Sequence, residues 1–565
     1  MSTTPAQVSA AQQPAIEIAE PAGSALLRDY LAGAAALAPF YFGHPADPGA
    51  YRRKAAEVDA RLGAAARARV ADAFRPLSTG AARRLERILD GAGCFVTTGQ
   101  QTGLFTGPLY TILKALSAVR LAQVLESVLD RPVSALFWCA ADDHDWAEVN
   151  HAHVIDGANY VQRITLPDDG PEVPPLAMSH RVLGPEAETA IERLAAALPE
   201  TEFRAERLAA LRNAYAPGRS MAAAFEDALA DVLAGQDLVL VSAAHPLVKQ
   251  HARPLLQRAL ADAAGQERAV ATQTERLVAA GYAAQVSVAA GASNVFRQDE
   301  RGRDRLVRDG EDWLLRRTRR RMGAATLLEE LDGQPGAFSP NVLLRPVVES
   351  ALFPTVAYVG GPAETGYFAQ IGCLFREHGI EPPVVYPRVG VTLIEPRVRK
   401  VLEKFSLGVP ELRRPFEEVA AQLVREQMPA EVTNALASLR TGLTEGYARL
   451  AAAASAIDPT LAGPLATTRN QALAQSADME KKIRHHLRQR NETRLEQIRK
   501  AAVHLYPEGA AQERVLNVYP YLVRYGPGLI GALLERIPVR LNAQGPTGWD
   551  GLRCAAGLPA APPPE

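Results

Sequence analysis

Cysteine and long apolar runs are both scarce in this sequence. Only Cys94, Cys139, Cys373 and Cys554 occur among its 565 residues, and no two are close enough for a CxxC metal or redox motif. A disulfide-stabilised scaffold is therefore excluded for so long a chain, and a reducing cytoplasm is the location we expect. No apolar run reaches the roughly 18 residues that a membrane span requires, so we expect no membrane partner.

Net charge is also almost absent. The 62 Lys and Arg residues balance 63 Asp and Glu residues, which leaves a net charge of −1. A balanced chain lacks the positive field that drives binding to nucleic acid, so we expect no nucleic-acid partner. Hydrophobic residues nevertheless make up 47% of the chain, which excludes a wholly disordered protein.

Short β-branched runs alternate with helical patterns, which predicts an α/β fold with a doubly wound parallel sheet. Residues 94–140 give the clearest unit: an apolar strand, a glycine-rich loop, a helix opened by Pro108 and a second apolar strand. The predicted strands are 94–98, 133–140, 160–166, 237–242, 285–288, 342–348, 355–359 and 383–394.

The chain divides into a core, a helical arm and tails. Residues 1–21 are expected to form a flexible tail, as is the end of the chain. Residues 22–394 are expected to form the doubly wound core, which carries a helical insert at about 160–235 and a small β-rich insert at about 285–335. The second insert contains a predicted hairpin at 294–307.

Apolar residues recur every three and four positions in 432–450 and again in 479–505. This spacing predicts two long helices folded back as an antiparallel α-helical coiled coil, within a helical domain at 395–510. The second helix, about 40 residues long, would measure on the order of 60 Å. Residues 511–565 are expected to return to the core and end in a tail.

A glycine-rich turn between a strand and a helix is the first segment that could carry chemistry. Gly99, Gly103 and Gly107 recur every four residues there, where a close backbone and the helix N-terminus suit an anion. The spacing matches neither GxGxxG nor GxxxxGK[ST], so neither dinucleotide nor P-loop binding follows. A structural turn is an equal alternative, and Lys114 is by spacing alone a solvated helix lysine.

A second segment concentrates acidic residues and histidines after the second strand. Asp143 and His144 could exchange protons near neutral pH, because a histidine beside carboxylates titrates there. Helix capping explains about half of the carboxylates. A metal site at His144, Glu148 and His151 is a less favoured alternative, because the spacing is not HExxH.

The third segment places polar residues within an apolar stretch. Asn341, Arg345 and Glu349 either form a structural bridge or recognise a carboxylate and an amine. A further strand–glycine turn–helix pattern follows and places Glu364 near a helix N-terminus, as a second wall of the same crevice. Arg388, after a later strand, is another candidate for this crevice.

Together these motifs resemble the bacillithiol biosynthesis cysteine-adding enzymes, the BshC family. The resemblance rests on TGQQTGLFTGPLYTILKA, WCAADDHDWAEVNH, SPNVLLRPVVE with TVAYVGGPAE, and QERVLNVYPYLVRYG, in that order over about residues 26–541. It implies a Rossmann-like core with connecting-peptide insertions, a coiled-coil domain that forms a homodimer, and a cysteine ligase. The implied reaction joins L-cysteine to glucosaminyl malate as an amide, in the last step of bacillithiol synthesis.

The motifs, taken together with this resemblance, predict the site residues. The hypothesis is that Asp143 and His144 deprotonate the glucosamine amine, that the glycine loop and Lys114 hold an anionic group, and that Arg345 binds a carboxylate. Asp143 and His144 are expected to be catalytic. The expected substrate-binding residues are Gly99, Gln100, Gln101, Gly103, Gly107, Tyr110, Lys114, Asn150, Asn341, Arg345, Glu349, Tyr358, Gly360, Gly361, Glu364 and Arg388. No metal is assigned. The cofactor that activates the carboxyl group is unknown, with ATP or another nucleotide as candidates.

Two other function classes compete with this interpretation. The glycine turn is similar to the first signature of class I aminoacyl-tRNA synthetases, but the HxGH histidines and a KMSKS-like stretch are absent. A different amide-forming or nucleotidyl-transfer enzyme on such a core is therefore the main alternative. A non-catalytic coiled-coil scaffold would explain residues 432–505 but not the polar crevice motifs.

Overall fold

The structure is a computed structural model that describes residues 13–21, 23–170, 172–287 and 289–542. Most of the predicted N-terminal tail, 1–12, and the C-terminal residues 543–565 lie outside this range. The strands are β1 (Ala15–Ala19), β2 (Phe74–Pro76), β3 (Cys94–Gln101), β4 (Val133–Ala140), β5 (His151–Ile155), β6 (Val161–Thr165), β7 (Leu238–Ser242), β8 (Ala292–Asp299), β9 (Gly302–Asp309), β10 (Asp312–Leu315), β11 (Arg321–Met322), β12 (Phe338–Pro340), β13 (Thr355–Gly360), β14 (Val384–Pro387) and β15 (Gly390–Ile394).

Helices lie between these strands along the chain and make up most of residues 394–511. Those before the arm are α1 (Ala25–Leu31), α2 (Pro48–Arg61), α3 (Ala64–Ala68), α4 (Thr79–Leu89), α5 (Tyr110–Leu129), α6 (Trp146–Val149), α7 (Glu186–Ala197), α8 (Arg204–Ala214), α9 (Met221–Val232), α10 (Pro246–Ala261), α11 (Ala263–Ala279), α12 (Ala324–Gly333), α13 (Arg345–Leu352) and α14 (Pro362–Glu377). The later ones are α15 (Pro396–Phe405), α16 (Phe416–Glu426), α17 (Ala430–Ser455), α18 (Ala462–Arg490), α19 (Glu492–Leu505), α20 (Gln512–Val515), α21 (Tyr519–Tyr525) and α22 (Gly528–Arg536).

The central sheet confirms the predicted fold class. Its strand order is β14-β13-β3-β4-β7-β2, and all neighbours are parallel except the edge pair β2–β7. The chain leaves β3 in one direction through β4 and β7 and later returns on its other side as β13. The strand order therefore reverses between β3 and β13, and open α/β sheets bind ligands at such a reversal, outside the carboxyl ends of the strands.

A second sheet, of antiparallel strands in the order β11-β10-β9-β8-β12, is built from the charged segment after residue 291. Its β8–β9 hairpin contains the predicted 294–307 hairpin. Helices α7, α8 and α9 occupy the region of the predicted helical insert. Strand β1, inside the predicted N-terminal tail, pairs with β15.

The predicted strand at 342–348 is wrong, because this segment turns into helix α13. The side-chain oxygen of Asn341 accepts hydrogen bonds from the N–H groups of Leu343 and Leu344 and so caps the turn that leads into the helix. A short buried apolar run has the same pattern in a strand and in a helix. The described part of 285–288 carries no strand either, and the predicted strand 383–394 is divided into β14 and β15.

Contacts divide the chain into two units. Residues up to Leu393, together with those from Gln512 onward, form one unit, and Ile394–Ala511 form the other. The second unit contains the helices α17 and α18, which an Arg440–Glu480 ion pair joins. The predicted 40-residue second helix is interrupted at Asn491, where φ and ψ are −102° and 10° and α18 gives way to α19. None of the helices in the described ranges is long and apolar enough to cross a membrane.

Candidate active site

A cleft of about 500 Å³ opens where the strand order reverses. Its walls come from the ends of β3 and β4, the starts of α5, α13 and α14, the end of β14, the β8–β9 hairpin and α20. It is lined by twelve of the predicted site residues: Gly99, Gln100, Gln101, Tyr110, Lys114, Asp143, His144, Asn341, Arg345, Gly361, Glu364 and Arg388. Gly103, Gly107, Asn150, Glu349, Tyr358 and Gly360 do not line it.

The glycine turn contributes to the cleft at one end only. A Cβ atom on Gly99 would lie 2.7 Å from the carbonyl oxygen of Trp138, so glycine permits the close approach of β3 and β4. Gly103 and Gly107 instead belong to a buried turn behind the cleft. In that turn Phe105, Thr106 and Gly107 all have positive φ, at 52°, 72° and 72°.

Side chains from distant segments hold this strained turn. The amide of Asn517 donates hydrogen bonds to the carbonyl oxygens of Phe105 and Gly107, at 2.7 and 2.8 Å. The Tyr215 hydroxyl accepts one from the Phe105 N–H group at 2.7 Å. β-Branched residues such as Thr106 rarely adopt positive φ, so this conformation depends on those contacts.

Lys114 is only 2% exposed, so the expectation from spacing that it is a solvated helix lysine is wrong. Its ammonium group donates to the carbonyl oxygen of Gly99, to the side-chain oxygen of Gln100 at 3.3 Å and to Glu364 at 2.9 Å. Burial lowers the pKa of Lys114, and Glu364 opposes this shift. Because its three N–H donors already have protein acceptors, Lys114 holds the two walls together.

Glu364 and Arg345 organise the opposite wall. Burial raises the pKa of Glu364, but the Lys114 charge, the N–H group of Gly361 and the Tyr358 hydroxyl outweigh burial and lower it. Arg345 donates to Glu349 at 2.8 Å and to the hydroxyls of Tyr358 and Tyr367 at 3.2 and 3.0 Å.

Glu349, only 1% exposed, lies beneath this wall, where burial raises its pKa despite the charge of Arg345. Glu349 and Tyr358 therefore support Arg345 from behind. Gly360 lies behind the cleft as well, where its carbonyl oxygen accepts from the N–H group of Arg388 at 2.9 Å. Asn341, on the cleft wall, has both side-chain groups engaged, since it caps the α13 turn and donates to Asn294.

Asp143 and His144 follow β4 and face the cleft from its third side. One Asp143 oxygen accepts from the N–H group of His144 at 2.7 Å, and the other accepts from Gln101. Burial, followed by the charge of Arg303, lowers the pKa of His144, and Asp143 and Asp145 oppose this shift. The histidine is therefore held in its neutral form.

Asn150 lies away from the cleft, fully buried, and donates to Asp168 at 2.8 Å. The histidines of the alternative metal site are similarly engaged: His144 with Arg303 at 2.9 Å and His151 with Asn150 at 3.1 Å. Among the described residues no group of three or more His, Cys, Asp or Glu side chains is placed to hold a metal ion.

Sequence reasoning missed three arginines that line the cleft. Arg303 and Arg305 come from β9, where alternate residues share a face, and both stack on Phe296 with the guanidinium carbon 3.9 and 4.9 Å from the ring centre. Arg514 comes from α20. Two sequence signals could have pointed to these arginines. One is the alternation of residues in the charged hairpin, and the other is the QERVLNVYPYLVRYG stretch.

Two family models match the chain, one after the other. The N-terminal Rossmann-like domain of bacillithiol biosynthesis BshC matches residues 12–389, and the C-terminal coiled-coil domain of BshC matches residues 391–541. The chain belongs to the BshC family. Membership identifies it as an enzyme of the ligase type, and both domains of the family are present.

Proteins with the name "Putative cysteine ligase BshC" are similar over most of their length. The one from Salinibacter ruber is 33% identical over 463 residues, which cover 81% of this chain and 83% of that protein. The one from Symbiobacterium thermophilum is 33% identical over 457 residues, 78% of this chain and 81% of that protein. The one from Koribacter versatilis is 32% identical over 528 residues, 92% of this chain and 97% of that protein.

The residues that line the cleft carry an excess of positive charge. Six cations line it (Lys114, Arg303, Arg305, Arg345, Arg388 and Arg514), against the three carboxylates Asp142, Asp143 and Glu364. Arg388 has Glu513 as a partner at 2.8 Å. No carboxylate oxygen of the described residues lies within 4.0 Å of Arg303, Arg305 or Arg514, so these three guanidinium groups have no salt-bridge partner, although Asp142 and Asp143 act on Arg303 from a greater distance.

Proposed function

We propose that this enzyme joins the carboxyl group of L-cysteine to the amine of glucosaminyl malate as an amide, in the last step of bacillithiol biosynthesis. The observation that carries the proposal is the cleft itself. Its unpaired guanidinium groups fit substrates that carry carboxylates, since cysteine has one and the malyl group has two. Its volume of about 500 Å³ fits small molecules.

The reaction requires an activated carboxyl group. The amine nitrogen forms a bond to the acyl carbon, the bond from that carbon to its leaving group breaks, and one proton leaves the nitrogen. A nucleoside triphosphate such as ATP would activate the carboxylate: its oxygen would bond to the γ- or the α-phosphorus, with release of ADP or pyrophosphate. The group that leaves in the amide-forming step would then be phosphate or AMP. Cations in a dry cleft stabilise both the leaving group and the developing charge.

The two ends of the cleft are suited to different groups. Arg388 and Arg514 lie near Tyr110. Burial raises the pKa of Tyr110, and the charges of the two arginines oppose this rise. We assign the malyl carboxylates to this end. Arg303 and Arg305 lie beside Asp143 and His144, and we assign the reacting acyl group and the proton transfer to that end.

The coiled coil supplies the surface for a homodimer. Leu439, Leu450 and Met479 on α17 and α18 are each about half exposed, at 50, 52 and 53%. Apolar side chains at coiled-coil spacing that stay this exposed favour a partner helix. We therefore propose that two copies of the chain associate through this surface, and that the enzyme acts in the cytoplasm, where the thiol of cysteine stays reduced.

Deletion of the gene followed by thiol profiling tests the pathway assignment. The proposal predicts that bacillithiol disappears while glucosaminyl malate accumulates, and that the wild-type gene restores both levels. A folded variant with Arg303→Met and Arg514→Met should fail to restore them. Unchanged bacillithiol in the deletion strain, with precursor at its normal level, would remove the assignment and favour a different amide-forming or nucleotidyl-transfer reaction.

A further inference from the structure

Arg303 reaches from the β8–β9 hairpin to the histidine of the cleft. One of its terminal N–H groups lies 2.9 Å from the Nδ1 atom of His144. A guanidinium group can only donate hydrogen bonds and stays charged in proteins. The Nδ1 atom must therefore be the acceptor in this contact, which means that it carries no proton.

The guanidinium group has little freedom to turn away. Its Nε donates to the Ser339 hydroxyl at 2.9 Å, and its other terminal nitrogen donates to the carbonyl oxygen of Pro340 at 3.0 Å. Its plane lies over Phe296, and the residue is only 7% exposed. Three acceptors and a ring thus fix the N–H group that faces His144.

The other ring nitrogen of His144 is left for a ligand. No residue in the described part of the chain accepts from or donates to Nε2, although the ring lines the cleft. A neutral imidazole whose Nδ1 is unprotonated carries its proton on Nε2. The ring therefore offers an N–H donor to whatever occupies the cleft.

The surroundings of the ring support the neutral form, because burial and the arginine charges lower the pKa of His144 more than the carboxylates raise it. Arg303 and Arg305 face it from β9, and Asp143 and Asp145 face it from its own loop. A second proton on the ring would place an N–H group against the N–H group of Arg303. The ring would then become a cation beside two arginines.

We propose that Arg303 is a positioning residue that holds His144 as the neutral tautomer with its proton on Nε2. His144 then donates a hydrogen bond to the acyl oxygen, on which negative charge develops, and Asp143 accepts the proton of the attacking amine. This inference deepens the proposed amide-forming function and depends on it for the identity of the oxygen. The tautomer itself is independent of the substrate.

Nitrogen NMR of the full-length protein with ¹⁵N-labelled histidine tests the tautomer without any substrate. His144→Gln identifies the signals of the ring. The expected result at neutral pH is an unprotonated Nδ1 and a protonated Nε2. In Arg303→Met the ring should lose this preference and its pKa should rise.

Arg305→Met is the matched control, because it removes a neighbouring cation on the same strand without touching Nδ1. It should keep the tautomer. Ser339→Ala, which removes only an anchor of Arg303, should weaken the preference and serves if Arg303→Met does not fold. A wild-type ring that is protonated on Nδ1, or an unchanged tautomer in both Arg303→Met and Ser339→Ala, would overturn the proposal.

Kinetics separate a donor from a base. Glutamine keeps an N–H donor at this position but cannot take up a proton at neutral pH. His144→Gln should therefore be roughly tenfold or more as active as His144→Ala, because one donor to a developing oxyanion contributes about 10²–10³-fold. Equal losses in the two variants would show that His144 is the base. Absence of any ligase activity in wild type, with the tautomer as expected, would contradict the proposed function and leave the tautomer assignment intact.

Discussion

Lys114 and Glu364 meet at 2.8 Å across the reversal point of the central sheet, although 250 residues separate them in the chain. Lys114 lies in α5, which follows β3, and Glu364 lies at the start of α14, which follows β13. The pair therefore ties together the two strand ends that form the cleft. Other contacts of Lys114, with Gly99 and Gln100, extend this link into the glycine turn.

Breaking this pair should destabilise the protein strongly. Lys114→Met leaves the Glu364 carboxylate without its cation. Glu364→Gln leaves the buried ammonium group of Lys114 without its carboxylate. Removal of one partner of a buried pair costs about 3–5 kcal/mol. The double variant should cost less than the sum of the single variants, as measured by urea unfolding. Additive losses would show that the two charges do not depend on each other.

The strained turn should depend on Asn517. Asn517→Ala leaves the buried carbonyl oxygens of Phe105 and Gly107 without their donor, and each buried group without a partner costs about 1–3 kcal/mol. Thermal unfolding measures the loss. Asn470→Ala, at an exposed position of α18, is the matched control and should have little effect. Equal stability of the two variants would contradict a holding role for Asn517.

Arg514 should govern the affinity for glucosaminyl malate. Arg514→Met removes an unpaired guanidinium from the end of the cleft near Tyr110. A charged hydrogen bond contributes about 1.5–3 kcal/mol, so the KM for glucosaminyl malate should rise roughly 10- to 100-fold, while the KM for cysteine changes little. Arg536→Met, at an exposed position outside the cleft, is the control. A selective rise in the KM for cysteine would reverse the assignment of the two ends.

Acid should destabilise the core through His378. Burial, followed by the charge of Arg258, lowers the pKa of His378 to about 4, and its Nε2 atom lies 3.2 Å from the Gln266 amide. Between pH 6.5 and 4 the unfolded chain binds a proton that the folded chain does not, so stability is full above pH 6.5 and falls as the pH drops.

His378→Gln should therefore lose less stability than wild type over this pH range. Urea unfolding at several pH values measures the free energy of unfolding of both proteins. Above pH 6.5 the two free energies should depend on pH in the same way. His485→Gln, at an exposed position, should follow the wild-type curve. Parallel curves for wild type and His378→Gln would contradict the lowered pKa.

The homodimer should depend on the exposed apolar face of the coiled coil. The double variant Leu450→Glu, Met479→Glu places charges at two half-exposed positions of α17 and α18. Light scattering after size exclusion should give twice 60.7 kDa for wild type and 60.7 kDa for the variant. A wild-type monomer, or a variant that remains a dimer, would contradict this interface.

The sequence predicted the central sheet because parallel strands are buried on both faces and their apolar runs are conspicuous. It could not distinguish 342–348 from a strand, since the cap that makes this segment helical depends on the single side chain of Asn341. It also missed the break at Asn491, because the apolar spacing continues through it. The local apolar pattern shows neither the helix at 342–348 nor the helix break at Asn491.

Only part of the site was predicted, because local sequence patterns do not show which side chains the tertiary fold brings together. Gly99 and Lys114 lie on the cleft, but Gly103 and Gly107 have the same spacing and belong to a turn held by Asn517. Arg303 was missed because a charged hairpin is typical of a solvated surface. Only the tertiary fold brings it to His144, 159 residues away in the chain. The catalytic and binding roles of these residues stay predictions.

Reconstitution with purified enzyme tests whether this protein forms the amide between L-cysteine and glucosaminyl malate. L-cysteine, glucosaminyl malate and a series of nucleoside triphosphates, or a chemically activated cysteinyl donor, would be incubated with wild type and with Arg303→Met. Mass spectrometry would follow the thiol product. The proposed function predicts a product with the mass of the two substrates minus one water, formed by wild type and strongly reduced in the variant. No product from wild type with any nucleotide or with the activated donor would contradict it.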